Sequence, residues 1–451
     1  MYLCNSFLEI KELNMKRNAY HQLLEWKNES RRKPLIVQGA RQVGKTYLIR
    51  EFGKNEFKNL VYLNFEKDNK LESIFENSLN PHEIMESISL LYGEKINADD
   101  TLIFFDEIQI APRVLTSLKY FCEEASEYFV VAAGSLLGVS VGKESSFPVG
   151  KVSFLNMYPM SFTEYLQAAG EVLMSEKLLE WETDDALPEI IHSKLLWHLK
   201  MYLILGGMPE VVHSYIENKD ISMARSIQKE ILKAYERDFS KYANSVQAIK
   251  ISEFWNSIPA QLAKENKKFK FSEIRKNVRA AMYEQTMEWL KKAGLVLITY
   301  NLNSPKLPLS AYTDYSKFKV YFHDVGLLAA MLNVSPDTIL FDDAIFSEFK
   351  GAFIENYVAQ ELNCMGGSPL LYWSSGSDAE VDFILASAKK IFPVEVKSGL
   401  NRNIKSLRSY EMRFSPEIIF RLSPRNLTKS GNFCNIPLYG CNMLKKYMQL
   451  S

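Results

Sequence analysis

The sequence predicts an α/β protein with a parallel-sheet core of the P-loop type, and three observations support this. Short apolar segments alternate with helical segments from about residue 15 to 165, as expected when crossover helices join parallel strands. A glycine-rich loop follows the first apolar segment, and a pair of acids follows another. The predicted strands cover residues 35–38, 60–65, 102–105, 129–133 and 152–157.

The glycine-rich loop GARQVGKT at residues 39–46 has the spacing of a nucleotide-phosphate cradle. Its glycines let backbone N–H groups wrap around a polyphosphate, and the next helix adds a favourable dipole. We expect Lys45 to reach the β- and γ-phosphates of ATP and Thr46 to ligate Mg²⁺. The predicted ATP-binding residues of this segment are Gly39, Ala40, Arg41, Gln42, Val43, Gly44, Lys45, Thr46 and Tyr47.

Two further strands place polar groups beside this loop. Asp106 and Glu107 end the apolar strand at 102–105, at the sheet edge where α/β proteins bind ligands. Asp106 is predicted to bind nucleotide and Mg²⁺, and Glu107 to orient and deprotonate the attacking water. Ser135 follows the strand at 129–133 and fits two interpretations equally, a contact to the γ-phosphate or an ordinary turn residue.

Composition indicates an ordinary globular protein. Hydrophobic residues make up 47% of the 451 positions, and 54 basic side chains balance 54 acidic ones. There is therefore no global field to attract DNA or an acidic membrane. The five scattered cysteines and the lack of a membrane-spanning apolar run favour a cytoplasmic location without membrane association. Either Met1 or Met15 fits as the start of the protein.

The middle of the chain divides into two predicted regions. Residues 166–245 are predicted to be a helical lid, with a break at the Gly-Gly-Met-Pro-Glu sequence of 206–210. Residues 246–320 suggest a winged helix, with helices at 271–276 and 283–290 and a wing strand at 295–300. This region holds the most basic stretch of the chain, which fits DNA contact and protein contact equally. Its cations are Lys264, Lys267, Lys268, Lys270, Arg275, Lys276 and Arg279.

The C-terminal region, residues 321–451, contains a second candidate site. A predicted hairpin places Asp382 opposite Glu395 and Lys397, which share one strand face. Such acids bind Mg²⁺ or Mn²⁺ in phosphodiester cleavage, while the lysine positions water. Glu355, on a helix at 351–362, completes the predicted metal set with Asp382 and Glu395. A solvent-facing hairpin with an ordinary Glu–Lys pair is the competing interpretation.

Several motifs together resemble one family, the prokaryotic AAA-type ATPases with a C-terminal domain of unknown function and a PD-(D/E)XK nuclease-like fold. The resemblance covers nearly the whole chain from about Met15. It implies an AAA-type ATPase core at 15–165 and a nuclease-like domain at 321–451. The motifs lie at residues 39–46, 104–109, 133–135, 158–164, 206–210, 320–327, 353–356, 380–383 and 394–397.

The resemblance assigns the nucleotide roles and the nuclease-like roles to the residues named above. One position departs from the family, because Gly150-Lys151 stands where Gly-Arg is common. Lysine keeps the charge but lacks the planar fork that grips a phosphate, so nucleotide turnover is expected to be slower if this position acts on a neighbouring subunit.

Two functional interpretations remain. One is an ATPase that controls a metal-dependent DNA nuclease with the catalytic residues Asp382, Glu395 and Lys397. The other is an ATP-switched module that binds DNA or a protein without cleaving it. The intact nuclease-like residues favour the first, and the balanced net charge favours the second. The sequence leaves open whether copies of the chain form a homo-oligomer.

Overall fold

The computed structural model describes eleven segments of the chain. Their bounds are residues 15–135, 148–181, 185–243, 245–264, 268–275, 280–341, 347–366, 369–376, 379–387, 389–399 and 405–449.

The N-terminal core is a five-stranded, wholly parallel sheet in the order β2-β3-β4-β1-β5. Each predicted strand is present within one residue at either end, and the three inner strands are buried along nearly all of their length, as expected for a parallel sheet covered on both faces. The strands are β1 Leu35–Gln38, β2 Asn59–Asn64, β3 Thr101–Asp106, β4 Phe129–Gly134 and β5 Ser153–Asn156.

Helices cover both faces of this sheet, as right-handed crossovers require. The strand order puts β4 between β1 and β3, so the loop after β1 and the acids after β3 open at the same edge. The helices of this part are Ala19–Lys27, Lys45–Glu56, Ser73–Glu76, Pro81–Tyr92 and Pro112–Glu124.

The middle of the chain is helical, as predicted for the segment after residue 165. Pro209 starts a helix directly after the Gly206-Gly207 break, where a proline at the first helical turn costs no hydrogen bond. The helices here are Phe162–Ala168, Val172–Leu179, Glu189–Leu205, Pro209–Asn218, Ile221–Tyr242, Ser245–Leu262 and Glu284–Lys292.

The predicted winged helix is not confirmed. The expected helix at 271–276 begins as a single 3₁₀ turn, Phe271–Glu273, and residues 276–279 lie outside the described part of the chain. Aromatic side chains pack around this turn. Phe269 and Phe271 both contact Phe318, with ring centroids 5.7 Å apart in each pair.

The predicted wing strand also has a different context. Strands β6 (Val296–Leu302) and β7 (Thr313–Phe322) form the expected antiparallel hairpin, but β6 pairs in parallel with β8 (Leu370–Ser374) on its other side. The hairpin is therefore built into a C-terminal sheet of order β7-β6-β8-β9. The proposed boundary at residue 320 lies inside β7.

A third sheet has the order β10-β11-β12-β14-β13. Strands β9 (Glu380–Val381) and β10 (Phe383–Ala386) are separated by Asp382 alone, so the second and third sheets meet at that residue. The other strands are β11 Ile391–Val396, β12 Ile419–Ser423, β13 Thr428–Ser430 and β14 Phe433–Pro437. The C-terminal helices are Val325–Met331, Pro336–Phe341, Ser347–Cys364, Lys405–Phe414 and Met443–Gln449.

Three of the family-like motifs meet in a backbone contact that we call the interlock, formed by residues 158–164, 206–210 and 323–327. Met160 N donates to Gly207 O at 2.6 Å, and Gly207 N donates to Asp324 Oδ2 at 2.6 Å. A Cβ on Gly207 would lie 2.1 Å from Met160 O, and one on Gly326 would lie 2.4 Å from Gly206 N. Glycine is required at both positions because the backbones touch.

Candidate functional site

The phosphate-loop segment has the predicted strand–loop–helix form. Gly39 (φ 152°) and Gly44 (φ 93°) adopt positive φ, and the helix begins at Lys45. A Cβ on Gly39 would lie 2.1 Å from Met157 O, so the loop can pass β5 only with glycine there. This backbone presents N–H groups and a helix N-terminus to one point, which is the geometry that binds phosphate.

Lys45 is held within the loop. Its Nζ donates to Ala40 O at 2.7 Å and Gly39 O at 3.0 Å, and the residue is 7% exposed. Burial lowers the pKa of Lys45 to about 8, although the carboxylates of Glu107 and Asp106 favour its charged form. A bound phosphate group would pair with the Lys45 ammonium and compensate for the solvation that it loses on burial.

Distant residues brace the loop, and sequence reasoning missed them. Arg17 donates to Val43 O at 2.7 Å and forms a buried ion pair with Glu164 at 3.2 Å. Arg41 forms an ion pair with Asp238 at 2.7 Å. A local motif cannot reveal these partners, because they come from the segment before the loop and from helix Ile221–Tyr242.

The acids after β3 stand beside the loop. Thr46 Oγ1 donates to Asp106 Oδ2 at 3.1 Å, and Tyr62 donates to the same oxygen at 2.9 Å. Asp106 is 3% exposed. The hydroxyl of Thr46 and the carboxylate of Asp106 are thus adjacent oxygen donors, a set that fits nucleotide-bound Mg²⁺.

Glu107, directly after β3, adopts the left-handed region (φ 57°). Gln109 Nε2 donates to Glu107 Oε2, and Ser135 Oγ donates to the same oxygen at 3.4 Å. Strain at a non-glycine residue persists where the surroundings hold it, and such positions cluster at functional sites. Ser135 is buried and faces the predicted catalytic carboxylate.

The C-terminal candidates come together at the junction of the two C-terminal sheets. Val396 N donates to Asp382 Oδ2 at 2.8 Å, and Lys397 Nζ donates to Glu395 Oε1 at 2.5 Å. Tyr321 donates to Glu355 Oε2 at 3.1 Å. We call Glu355, Glu380, Asp382, Glu395 and the two lysines Lys319 and Lys397 the acid cluster.

Lys319 is the member that the sequence did not reveal. Its Nζ lies 2.6 Å from Glu380 Oε1, 3.7 Å from Glu355 Oε2 and 3.8 Å from Asp382 Oδ1. Its side chain is 0% exposed. Burial opposes the charge, but Tyr321 and these carboxylates raise the pKa of Lys319 well above its usual range. Lysine side chains are almost never fully buried, so the pattern Lys317-Phe318-Lys319 predicts an exposed side chain at residue 319.

The metal set Glu355, Asp382 and Glu395 stays a prediction. Within the described residues, no group of three or more His, Cys, Asp or Glu side chains is arranged to hold a metal ion. The buried Oε2 of Glu395 accepts no hydrogen bond in the structure, and burial raises the pKa of Glu395 despite the neighbouring Lys397.

The basic stretch is only partly described. Lys264 forms an ion pair with Glu273 at 2.7 Å, and Arg275 lies 3.8 Å from Glu253. Lys267, Lys276 and Arg279 lie outside the described residues. Lys151, which stands where the resembling family commonly has arginine, forms an ion pair with Glu123 of the same chain at 2.9 Å.

One helix joins the acid cluster to the ATPase core. Helix Ser347–Cys364 carries Glu355, and two turns later Glu361 accepts a hydrogen bond from Phe162 N at 2.8 Å. Between them, Gln360 Nε2 donates to Tyr202 OH at 2.8 Å and its Oε1 accepts from Val325 N at 2.9 Å. Glu361 therefore caps helix Phe162–Ala168 across the domain contact.

A second connection starts at the phosphate loop itself. The hydroxyl of Tyr235 donates to Arg41 O at 2.9 Å and lies 3.3 Å from His323 Nε2. His323 follows β7, the strand that carries Lys319. Burial lowers the pKa of His323 to about 4, so the ring is neutral near pH 7.

Comparisons with known families match three successive parts of the chain. Residues 31–166 match an AAA domain, residues 196–338 match a domain of unknown function (DUF8612), and residues 350–439 match another (DUF4143). The chain thus contains an AAA-type P-loop domain, as the phosphate loop and strand order indicate. No curated protein matches the chain.

Solved structures show distant similarity. A Walker-type ATPase of Pyrococcus abyssi is 14% identical with a TM-score of 0.42, over 70% of this chain and 96% of that one. The Aeropyrum pernix ORC1 protein in complex with DNA is 11% identical with a TM-score of 0.29, over 70% and 91%. Drosophila ORC bound to DNA is 13% identical with a TM-score of 0.28, over 70% and 94%. Among the described helices, none is long and apolar enough to cross a membrane.

Proposed function

We propose that this protein binds ATP with Mg²⁺ and hydrolyses it, and that its nucleotide state controls the C-terminal domain. The main support is the contact between Thr46 and Asp106 beside the phosphate loop, with Glu107 next along the chain. The loop and Lys45 hold the phosphates, while Thr46 and Asp106 provide oxygens for Mg²⁺. Glu107 positions and deprotonates water, and Ser135 and Gln109 hold Glu107.

Lys45→Ala is the direct test of the nucleotide site. We expect ATP affinity to fall at least about 10-fold, because a buried ammonium that pairs with phosphate is lost. Titration calorimetry with a slowly hydrolysed ATP analogue measures this. Lys54→Ala, in the exposed last turn of the same helix, is the matched control and should bind as the wild type does. Equal ATP affinity of Lys45→Ala and wild type would mean that the loop does not bind the nucleotide through Lys45.

Coupling to the C-terminal domain is supported by the two connections described above. The interlock and Glu361 tie β5 and its following loop to helix Ser347–Cys364. Tyr235 ties the Arg41 carbonyl to the end of β7. Both paths end at elements that carry members of the acid cluster. Packed backbone and buried hydrogen bonds therefore connect the phosphate loop with the C-terminal elements, so a shift of the loop on ATP binding can move them.

The C-terminal domain has two candidate roles. The first is a nuclease acting on DNA, and the hydrogen bonds of Asp382 with Val396 N and of Lys397 with Glu395 support it. The position of Lys319 among the carboxylates favours the second role, an ATP-switched module that holds DNA or a protein without cutting it.

A cleavage assay separates these roles. Linear, nicked and single-stranded DNA are incubated with the protein and Mg²⁺ or Mn²⁺, with and without ATP, beside Lys397→Ala and Lys45→Ala. Cleavage that is lost in Lys397→Ala would establish the nuclease. The binding role predicts intact DNA in every lane.

The contact of Glu361 with Phe162 makes the domain contact pH-dependent. Burial, with a contribution from Glu164, raises the pKa of Glu361 to about 8, against about 4.3 in an unfolded chain. The folded state then keeps a proton that the unfolded state releases, so stability falls as pH rises from about 4 through about 8. Asp324, whose pKa burial raises to about 6, acts in the same direction over a lower range.

Glu361→Gln is expected to reduce this pH dependence, because glutamine keeps the acceptor oxygen without a titrating proton. Thermal unfolding midpoints at about pH 6 and about pH 8 should differ less than in wild type. Glu83→Gln, an exposed position in another helix, should keep the wild-type difference. An unchanged difference in Glu361→Gln would place the pH dependence elsewhere.

A further inference from the structure

The acid cluster contains its own cations. Four carboxylates lie together with two ammonium groups, Lys319 and Lys397. Lys397 is partly exposed and pairs with Glu395, whereas the Lys319 side chain is fully buried and faces the other three acids. An ammonium group buried in this way neutralises the neighbouring carboxylates, which have lost their solvation by water.

We propose that Lys319 is the resident cation of the acid cluster and takes the place that a divalent metal ion would need. The C-terminal domain then keeps its fold without bound Mg²⁺ or Mn²⁺. This inference concerns the C-terminal domain alone and stands whether or not the chain hydrolyses ATP.

Distances support the assignment. Mg²⁺ and Mn²⁺ lie about 2.0–2.2 Å from their oxygen ligands. An ion bound by Glu355 and Asp382 would share one buried cluster with the Lys319 ammonium, whose Nζ lies 3.7 and 3.8 Å from their oxygens. Two cations in one buried cluster repel strongly.

The strand pairing and one aromatic ring position Lys319. Its backbone is paired with Thr299 in the middle of the β6–β7 hairpin, which fixes the direction of its side chain. The ring of Tyr372 closes the other side, with its centroid 5.1 Å from Nζ. The favourable contact between the ammonium and this ring adds to the pull of the carboxylates.

The test compares divalent-ion responses of wild type and Lys319→Met, a variant of similar length without charge. Thermal unfolding is followed in full-length protein without nucleotide, over a Mn²⁺ titration with an EDTA baseline. We expect no saturable change in wild type. Lys319→Met should have a lower midpoint that Mn²⁺ raises in a saturable manner, because the ion restores the missing positive charge. Lys319→Met/Asp382→Asn should lose that response.

Two results would overturn the inference. One is a saturable Mn²⁺ stabilisation of wild type that Asp382→Asn removes, since the native cluster would then bind the metal. The other is a folded Lys319→Met protein with no Mn²⁺ response. Lys397→Met is the matched control, because it removes the second lysine and leaves Lys319 in place. If Lys319→Met does not fold, Lys319→Met/Glu380→Gln keeps the charge balance, and the wild-type titration decides by itself.

ATP hydrolysis is measured in the same preparations. A Lys319→Met protein that hydrolyses ATP but fails the Mn²⁺ test contradicts this inference and leaves the proposed ATPase function intact. Wild type that shows no hydrolysis contradicts the proposed function and leaves the Mn²⁺ comparison valid.

Discussion

Replacing Glu107 with glutamine is expected to reduce ATP turnover by about 10²–10⁴-fold, the usual contribution of a positioned base. Binding should stay close to wild type, because Lys45 and the loop backbone hold the phosphates without Glu107. The amide can still accept from Ser135, so the geometry around it changes little while the base is lost. Phosphate release and nucleotide affinity, measured separately, distinguish these two effects.

Glu124→Gln is the matched control for this experiment. It makes the same chemical change at an exposed position at the end of helix Pro112–Glu124 and should leave turnover unchanged. Turnover of Glu107→Gln within a few-fold of wild type would exclude Glu107 as the base. Loss of affinity together with turnover would instead make it a binding residue.

Gly207→Ala is expected to destabilise the protein by at least about 3 kcal/mol, at the upper end of the effect of single substitutions. The added Cβ would lie 2.1 Å from Met160 O and 2.7 Å from Met160 N. These are backbone atoms, so no side chain can rotate away to make room. The clash also falls between two hydrogen bonds, from Met160 N to Gly207 O and from Gly207 N to Asp324.

Gly399→Ala controls for the general effect of adding a methyl group. Gly399 has open space around its Cβ position, and neither glycine adopts a positive φ. Urea unfolding of both variants gives the comparison. Equal stability of Gly207→Ala and Gly399→Ala would mean that the interlock is loose and cannot transmit a shift of the core.

The AAA-type core could be predicted from sequence because its signals are local. The loop at 39–46 has fixed spacing, and the strand ending in Asp106 is a continuous apolar run. The hairpin that carries Asp382 and Glu395 was predicted for the same reason, since strand alternation is a short-range pattern. These predictions agree with the described strands.

The remaining features depend on contacts between distant segments. Arg17 and Asp238 brace the phosphate loop from opposite ends of the core and lid, and no periodicity relates them to it. Lys319 lies on a hairpin that the pairing of β6 with β8 makes part of a larger sheet, and no local pattern shows that pairing. The winged helix is not confirmed at the same strands, because a local pattern does not show what pairs with the other edge of a strand.

Amide hydrogen exchange with and without ATP most directly tests the claim that nucleotide state reaches the C-terminal domain. Glu107→Gln is used to keep ATP bound, and Lys45→Ala is the control that cannot bind it. We expect ATP to change exchange in helix Ser347–Cys364 and in β11 of Glu107→Gln, and to change neither in Lys45→Ala. Protection by ATP confined to the phosphate loop, with unchanged exchange in both C-terminal elements, would contradict the coupling.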